Sequence, residues 1–298
     1  MDDADRDFIA RAAGAERVVR TERIQSLWSG YGEILRVHLD AGSAVVKWAK
    51  APRGEKGDVS HARKCRSYEV EHAWYRHFAA RCPSRMPALL GSRAGAGEWL
   101  FVLEDLDAAG YAGRRHRLTS AEMELCLAWL AELHAAFVGV APEGLWKVGT
   151  YWHLATRPDE LRAMEDDALR AAAPILDKRL REARFQTIVH GDAKPANFCF
   201  ARTGVAALDF QYIGGGCGMK DIAYLVDDAD PGSWLDSYFR HFRAAKPAVD
   251  VDALESEWRA LYPIAYADYA RFLAGWAKDH WRRDRHAQAA VATILRQL

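Results

Sequence analysis

Long apolar runs, net charge and paired cysteines are all missing from this chain of 298 residues, and each absence removes a class of function. No uninterrupted apolar stretch reaches the roughly 20 residues that span a bilayer, so no membrane helix is expected. The opening segment, MDDADRDFIARAAGAERVVR, is charged throughout and lacks the apolar core of a secretory signal. Lys plus Arg and Asp plus Glu number 41 each, so no molecule-wide field draws the chain to nucleic acid or to an anionic membrane. The five cysteines (Cys65, Cys82, Cys126, Cys199 and Cys217) are an odd number without C-x-x-C spacing. They suggest neither a disulfide framework nor a zinc site, and point to a reduced, cytoplasmic setting. No internal repeat or low-complexity tract is present, which sets aside a repeat array. What remains is ordinary for a soluble globular enzyme of one large or two moderate domains: 50% hydrophobic and 28% charged residues.

Residues 22–50 hold three apolar, β-prone stretches separated by the turn signals SGYG and DAG, which reads as a hairpin followed by a third strand. Residues 51–65, APRGEKGDVSHARKC, are polar, glycine-containing and aperiodic, and are expected to form a mobile loop. In RSYEVEHAWYRHFAARC, Tyr68, Glu71, Tyr75 and Phe78 recur every three or four residues and share one helix face. EWLFVLEDL is the next clear strand. From residue 107 the pattern is helical. LTSAEMELCLAWLAELHAAF opens with Thr119 and Glu122 at capping-box spacing, and Met123, Cys126, Leu127, Leu130, Leu133, His134 and Phe137 trace its apolar stripe. TRPDELRAMEDDALR repeats the device, with Thr156 as the expected cap and Pro158 in the first turn. Beyond residue 218 the chain reads as helical to its end. An α+β fold is expected: residues 1–106 as a small, mostly antiparallel sheet with one main helix, residues 107–298 as a larger helical part.

The densest chemistry lies in TIVHGDAKPANFCF, residues 187–200, where a core-like pattern is broken by His190, Asp192, Lys194 and Asn197. Phosphoryl transfer needs a base at the acceptor hydroxyl, cations on phosphate oxygens and hard oxygen ligands for a metal. Asp192 offers the base, Lys194 a cation and Asn197 a neutral oxygen. One metal ligand is too few, so a carboxylate is required nearby. GVAALDFQ supplies Asp209, twelve residues after Asn197, with NFCF and VAALDF reading as the two halves of a hairpin.

His190-Gly191-Asp192-x-Lys194-Pro195-x-Asn197, followed by Asp209-Phe210, resembles the core of the protein-kinase-like small-molecule phosphotransferases. The H-G-D opening resembles the aminoglycoside phosphotransferase and choline kinase group, and LDFQ with GGGCGMKDIAYLV looks closest to the ecdysteroid-kinase-like branch. The resemblance implies a two-lobed fold with ATP in the cleft between the lobes, its γ-phosphoryl group passing to a hydroxyl of a small molecule. It implies Asp192 as catalytic base, Lys194 as an aid at the γ-phosphate, and Asn197 and Asp209 as Mg²⁺ ligands. Lys47 in SAVVKWAK matches the lysine that pairs with ATP phosphates, and Glu71 its helix-borne partner, in competition with Glu69. Gly30 and Gly32 match a shortened glycine-rich loop. Leu103 to Leu106, hence Glu104, Asp105 and Leu106, match the hinge whose backbone meets adenine. Asp221 matches an aspartate that supports the catalytic loop. Two departures bear on the substrate. Gln211 stands where protein kinases have a glycine used in switching, and the stretch from Asp209 to Asp221 is too short for the loop on which they lay a peptide. The short stretch argues against a protein kinase, and the filled catalytic positions argue against a nucleotide-binding module without turnover.

Each feature has a plainer reading. His190 pins the loop. A lysine in an apolar strand also suits a protected edge strand, and SGYG alone is a hairpin turn. GGGCG, residues 214–218, reads as a flexible connection with positive φ. For the acceptor, Tyr151, Trp152, His153 and Arg157 either line a site or cap and pack the following helix. Trp258, Tyr262, Tyr266, Tyr269, Phe272 and Trp276 recur at helical spacing and favour core over pocket wall. Asp227, Asp228 and Asp230 either face a cationic amine or form a solvated helix start.

Overall fold

The structure is a computed structural model, and it describes residues 1–27, 30–51 and 59–298. In chain order its elements are α1 (Asp3–Ala12), β1 (Val18–Ser26), β2 (Gly32–Leu39), β3 (Gly42–Lys50), α2 (Val59–His77), β4 (Leu89–Gly95), β5 (Glu98–Glu104), α3 (Ser120–Phe137), α4 (Pro158–Ala163), α5 (Asp167–Arg181), β6 (Thr187–Val189), β7 (Phe198–Phe200), β8 (Val205–Ala207), β9 (Gly214–Gly216), α6 (Met219–Val226), α7 (Trp234–Ala244), α8 (Val251–Trp276), α9 (Lys278–Arg283) and α10 (Arg285–Leu295). They gather into two compact units. One comprises Met1–Ala80, Arg85–Arg115 and Phe198–Gln211; the other comprises Arg81–Ser84, His116–Asn197 and Tyr212–Leu298.

The first unit is built on an antiparallel sheet of order β1-β2-β3-β5-β4. Alternation sends Leu35, Val37 and Leu39 of β2 and Ala44, Val46 and Trp48 of β3 to one core, where Ile9 of α1 meets them. Each of these Leu, Val and Ile side chains contributes about 1.5–3 kcal/mol on burial. Helix α1 begins at a complete capping box between Asp2 and Asp5. Lys47 belongs to the alternate set of β3 residues, opposite Ile34 on β2 and Phe101 on β5. It therefore lies in the middle of the sheet, which rules out the edge-strand reading. Hairpin β7–β8 forms with Phe198 opposite Ala207, and it belongs to this unit through backbone bonds between Gly113 and Phe200 and from the Ala207 amide to the Arg85 carbonyl.

Helix α2 starts earlier than its polar sequence suggests. The loop expected over residues 51–65 extends too far: 59–65 are helical, and 52–58 lie outside the described residues. The reason is tertiary. Tyr31, wholly buried, hydrogen-bonds His61 Nδ1 at 2.5 Å and holds the Lys64 ammonium 4.7 Å from its ring centre.

In the second unit α8 packs against α4, α5 and α6, and α3 against α7. The α3 capping box of Thr119 and Glu122 is complete. The cap expected at Thr156 is not: its hydroxyl donates to the His153 carbonyl, and Arg157 stands at the N-cap of α4 without a side-chain capping bond. Pro158 at the first helical position brings a preset φ and lacks an N–H to cap. Helix α4 ends at Ala163, and Asp166 caps a separate helix, α5. The flexible connection expected at GGGCG is also corrected. Gly214–Gly216 form strand β9, paired antiparallel with β6, and none of these glycines has a positive φ. Space, not φ, demands them: a Cβ on Gly214 would lie 2.2 Å from the Trp146 carbonyl oxygen, and one on Gly218 2.5 Å from the Trp258 ring. Along α8, Trp258, Tyr262, Tyr266, Tyr269 and Phe272 are buried, whereas Trp276 is 59% exposed and leaves the stripe. Among the described residues no helix is long and apolar enough to cross a membrane.

Candidate active site

Each unit gathers its own set of the residues singled out in the sequence. In the first, β3 delivers Lys47 to an acidic side chain of α2 and to Asp209 in the segment after β8. Its ammonium lies 2.7 Å from Glu71 Oε2 and 2.9 Å from Asp209 Oδ1. Glu71 is the carboxylate at this lysine; Glu69 is exposed and pairs with Arg66. Burial alone would lower the lysine pKa, but Asp209 and Glu71 overcome it and hold Lys47 above its ordinary value, fully charged. Removing one partner of such a dry group costs about 3–5 kcal/mol.

Asp209 takes a left-handed backbone, φ 67°, which is costly for a residue with a Cβ. The next residue fixes it. Phe210 is wholly buried, stacked on Trp74 at 5.3 Å and edge-on to Tyr75 at 5.7 Å. The aromatic face of α2 thus holds the segment that presents the Asp209 carboxylate.

At the start of β2, Gly30 and Gly32 both have positive φ, and a Cβ on Gly32 would lie 1.9 Å from the Trp48 carbonyl oxygen. Trp28 and Ser29, which share this turn in the sequence, lie outside the described residues. The side chains at the end of β5 are committed elsewhere. Glu104 accepts from Arg85 and from the Ala88 amide, and Asp105 accepts from Arg36 at 2.8 Å and from Ser43 at 2.7 Å. Leu106 is buried with Cys199 and Ala206.

In the second unit β6 runs into the loop of His190, Asp192, Lys194 and Asn197. Gly191, φ 80°, lets the chain pass Tyr212, whose carbonyl oxygen would be 2.2 Å from a Cβ. Asp221 on α6 props the loop from beneath, accepting from the amides of His190 at 2.6 Å and Gly191 at 2.9 Å, with His134 Nε2 at 3.1 Å. His190 Nδ1 accepts from the Asp192 amide and turns the chain. The nearly buried Asp192 carboxylate accepts at Oδ2 from Lys194 and Asn197, both at 2.8 Å, and at Oδ1 from the Tyr224 hydroxyl at 3.3 Å.

Sequence reading missed Tyr224. It sits four residues beyond Lys220 in an apolar helix, and only the fold brings its hydroxyl to Asp192. Burial first, and Asp192 next, push its pKa far up, so it is a neutral donor. Behind it Tyr269 and Trp152 lie 4.7 and 4.8 Å away, centre to centre. Trp152 is buried and donates to Asp268, and Arg157 is buried over the Tyr151 ring, so both have packing roles. His153 lies 3.6 Å from Asp177. Asp228 and Asp230 accept from backbone amides two residues on, closing turns between α6 and α7, and Asp227 ends α6 in a left-handed conformation.

Each unit offers an oxygen donor of a kind that suits a hard divalent ion. Asn197 spends its amide N–H groups on the carbonyl and carboxylate of Asp192, which leaves its amide oxygen to accept. Asp209 contributes a carboxylate that is 32% exposed. Both are oxygen ligands of the kind Mg²⁺ prefers.

The family described as "APH: Phosphotransferase enzyme family" matches residues 23–271. An amicoumacin kinase solved with AMP-PNP and Ca²⁺ has a TM-score of 0.57 at 14% identity, covering 98% of this chain and 92% of its own. The GDP complex of aminoglycoside 2'-phosphotransferase-IIIa has a TM-score of 0.54 at 12% identity, covering 93% of each chain. A putative fructosamine-3-kinase from Haemophilus somnus 129PT has a TM-score of 0.50 at 13% identity, covering 98% of this chain and 96% of its own. At these identities the likeness establishes the fold, that of kinase-like phosphotransferases. No curated protein matches the sequence.

Proposed function

This chain belongs to the phosphotransferase enzyme family, and we propose that it moves the γ-phosphoryl group of Mg-ATP to a hydroxyl of a small molecule in the cytoplasm. The observation that carries the reading is the Asp192 carboxylate, nearly buried, with one oxygen fixed by Lys194 and Asn197. Asp192 orients the acceptor hydroxyl and takes its proton as that oxygen bonds to the γ-phosphorus; the bond from phosphorus to the bridging oxygen breaks, and ADP leaves. Lys47, kept charged by Glu71 and Asp209, binds phosphate oxygens. Lys194 exchanges part of its bond to Asp192 for a γ-phosphate oxygen. Asn197 and Asp209 would hold Mg²⁺, which when bound would supply positive charge against the phosphates. Residues 1–106 are the nucleotide lobe, with Gly30 and Gly32 over the phosphates and the backbone of 103–106, including Glu104, Asp105 and Leu106, at adenine; residues 107–298 carry the catalytic loop and the acceptor site.

The test is a transfer assay. Purified protein and Mg-ATP are incubated with a fractionated metabolite extract, with Asp192→Ala in parallel, and scanned by mass spectrometry for a species that gains one phosphate. A product made only by the wild type supports the reading and identifies the acceptor. Equal product from both proteins contradicts the role of Asp192. Nucleotide binding with no transfer to any fraction favours a binding module without turnover.

A further inference from the structure

Away from the Asp192 loop, the second unit holds a cavity of about 290 Å³ whose walls include Val140, Pro142, Lys147, Leu180, Arg181 and Lys220. Three of these are cations, and no Asp or Glu lines the cavity among the described residues. The three cations are not equally served. Arg181 donates to Asp177 at 2.8 Å and remains half-exposed, and Lys147 is exposed. Lys220 is the anomaly, because its side chain is only 3% exposed yet its nearest carboxylate, Asp268 Oδ2, is 3.8 Å away. That is too long for a hydrogen bond.

Asp268 is also already occupied. Its Oδ2 accepts from Trp152 Nε1 at 3.0 Å, and its Oδ1 meets Arg271 at 2.9 Å. Asp177, the other carboxylate acting on Lys220, is taken by Arg181 and His153. Lys220, Arg271 and Arg181 thus share two carboxylates, and the surplus positive charge faces the cavity. Burial lowers the Lys220 pKa, and Asp268 and Asp177 only partly offset it, as expected of an ammonium short of partners.

The geometry points to this cavity as a binding site for a small organic anion. Its carboxylate or phosphate group meets Lys220, Lys147 and Arg181, and its apolar body lies against Val140, Pro142 and Leu180. The site is separate from the phosphoryl-transfer residues, since none of Asp192, Lys194 and Asn197 lines it. It does adjoin them in sequence, because Lys220 precedes the aspartate that props the catalytic loop. The inference does not rest on the phosphotransfer reading.

Calorimetric titration of the full chain with butyrate, inorganic phosphate and butylammonium tests it. The wild type is compared with the double variant Lys147→Gln, Arg181→Gln, whose changes are on exposed side chains, and with Lys220→Met. We expect saturable one-to-one binding of at least one anion, none of butylammonium, and about tenfold weaker anion binding for each cation removed. Tighter butyrate marks a carboxylate site and tighter phosphate a phosphate site. Phosphate held elsewhere on the protein is recognised because the double variant leaves it unchanged. The proposal is overturned if neither anion saturates, if the double variant binds both as the wild type does, or if butylammonium binds as well as butyrate. Should Lys220→Met fail to fold, the double variant decides alone.

Discussion

Lys47 and Asp192 are both almost fully buried, yet the two units hold them by opposite means. In the first unit charge answers charge: one ammonium faces two carboxylates, one of them on a strained backbone kept in place by Phe210. In the second, backbone geometry does the holding. Asp221 takes two amides of the loop, and the loop then aims Asp192 at the donors of Asn197, Lys194 and Tyr224. A charge cluster tolerates small displacements but fails when its charge balance changes. A backbone-propped loop keeps its shape when one carboxylate is neutralised, but fails when its prop is removed.

The contrast sets the size of each expected effect. Asp192→Ala should lower kcat by about 10³-fold, in the middle of the range for loss of a general base, while circular dichroism and nucleotide affinity stay at wild-type values; a loss under tenfold would contradict the role. Asp221→Ala strands the amides of His190 and Gly191 together with His134, so urea unfolding should show a loss of about 3 kcal/mol. Asp221→Asn, which retains one acceptor oxygen, should lose less.

Asp177 shows that charge pairing also occurs in the second unit. Burial alone would raise its pKa, but His153 and Arg181 bring it down from 3.8 to about 2. A carboxylate depressed in the folded state stabilises fully above its unfolded pKa and loses that contribution as pH falls through the folded one. About 2 kcal/mol should therefore disappear between pH 4 and 2, and urea midpoints of Asp177→Asn should be flatter across that window. The smallest effect discriminates most finely. Glu71→Gln should weaken nucleotide binding about tenfold, because Lys47 loses one of two counter-charges, whereas Glu69→Gln should change it by less than about 0.5 kcal/mol. Equal effects would erase the distinction between the buried and the surface carboxylate.

The same contrast explains what could be read in the sequence. The apolar, β-prone runs of β2, β3 and β5, the capping box of α3 and the β7–β8 hairpin are local patterns, and the structure forms each of them. The loop from His190 to Asn197 is local in its motif, since the bonds of Asp192 with His190, Lys194 and Asn197 span two to five residues, but its props, Asp221 and Tyr224, lie 30 to 32 positions away. Errors arose where a distant partner decides. Residues 59–65 look like loop because their anchor, Tyr31, lies about thirty positions earlier. GGGCG looks flexible because Trp146 and Trp258, which crowd it, are far away in sequence. Glu71 could not be separated from Glu69 by helical spacing alone, and Tyr224 carried no local signal. The cavity at Lys220 joins residues from 140 to 220 and has no motif.

The most direct measurement is a paired one: Mg²⁺-dependent affinity for a non-hydrolysable ATP analogue, and turnover, for the wild type, Asp192→Ala and Asp209→Ala. If charge in one unit serves the nucleotide and geometry in the other serves the chemistry, Asp192→Ala binds normally without turning over, while Asp209→Ala loses Mg²⁺-dependent binding itself. Normal binding by Asp209→Ala, or lost binding by Asp192→Ala, would contradict that division.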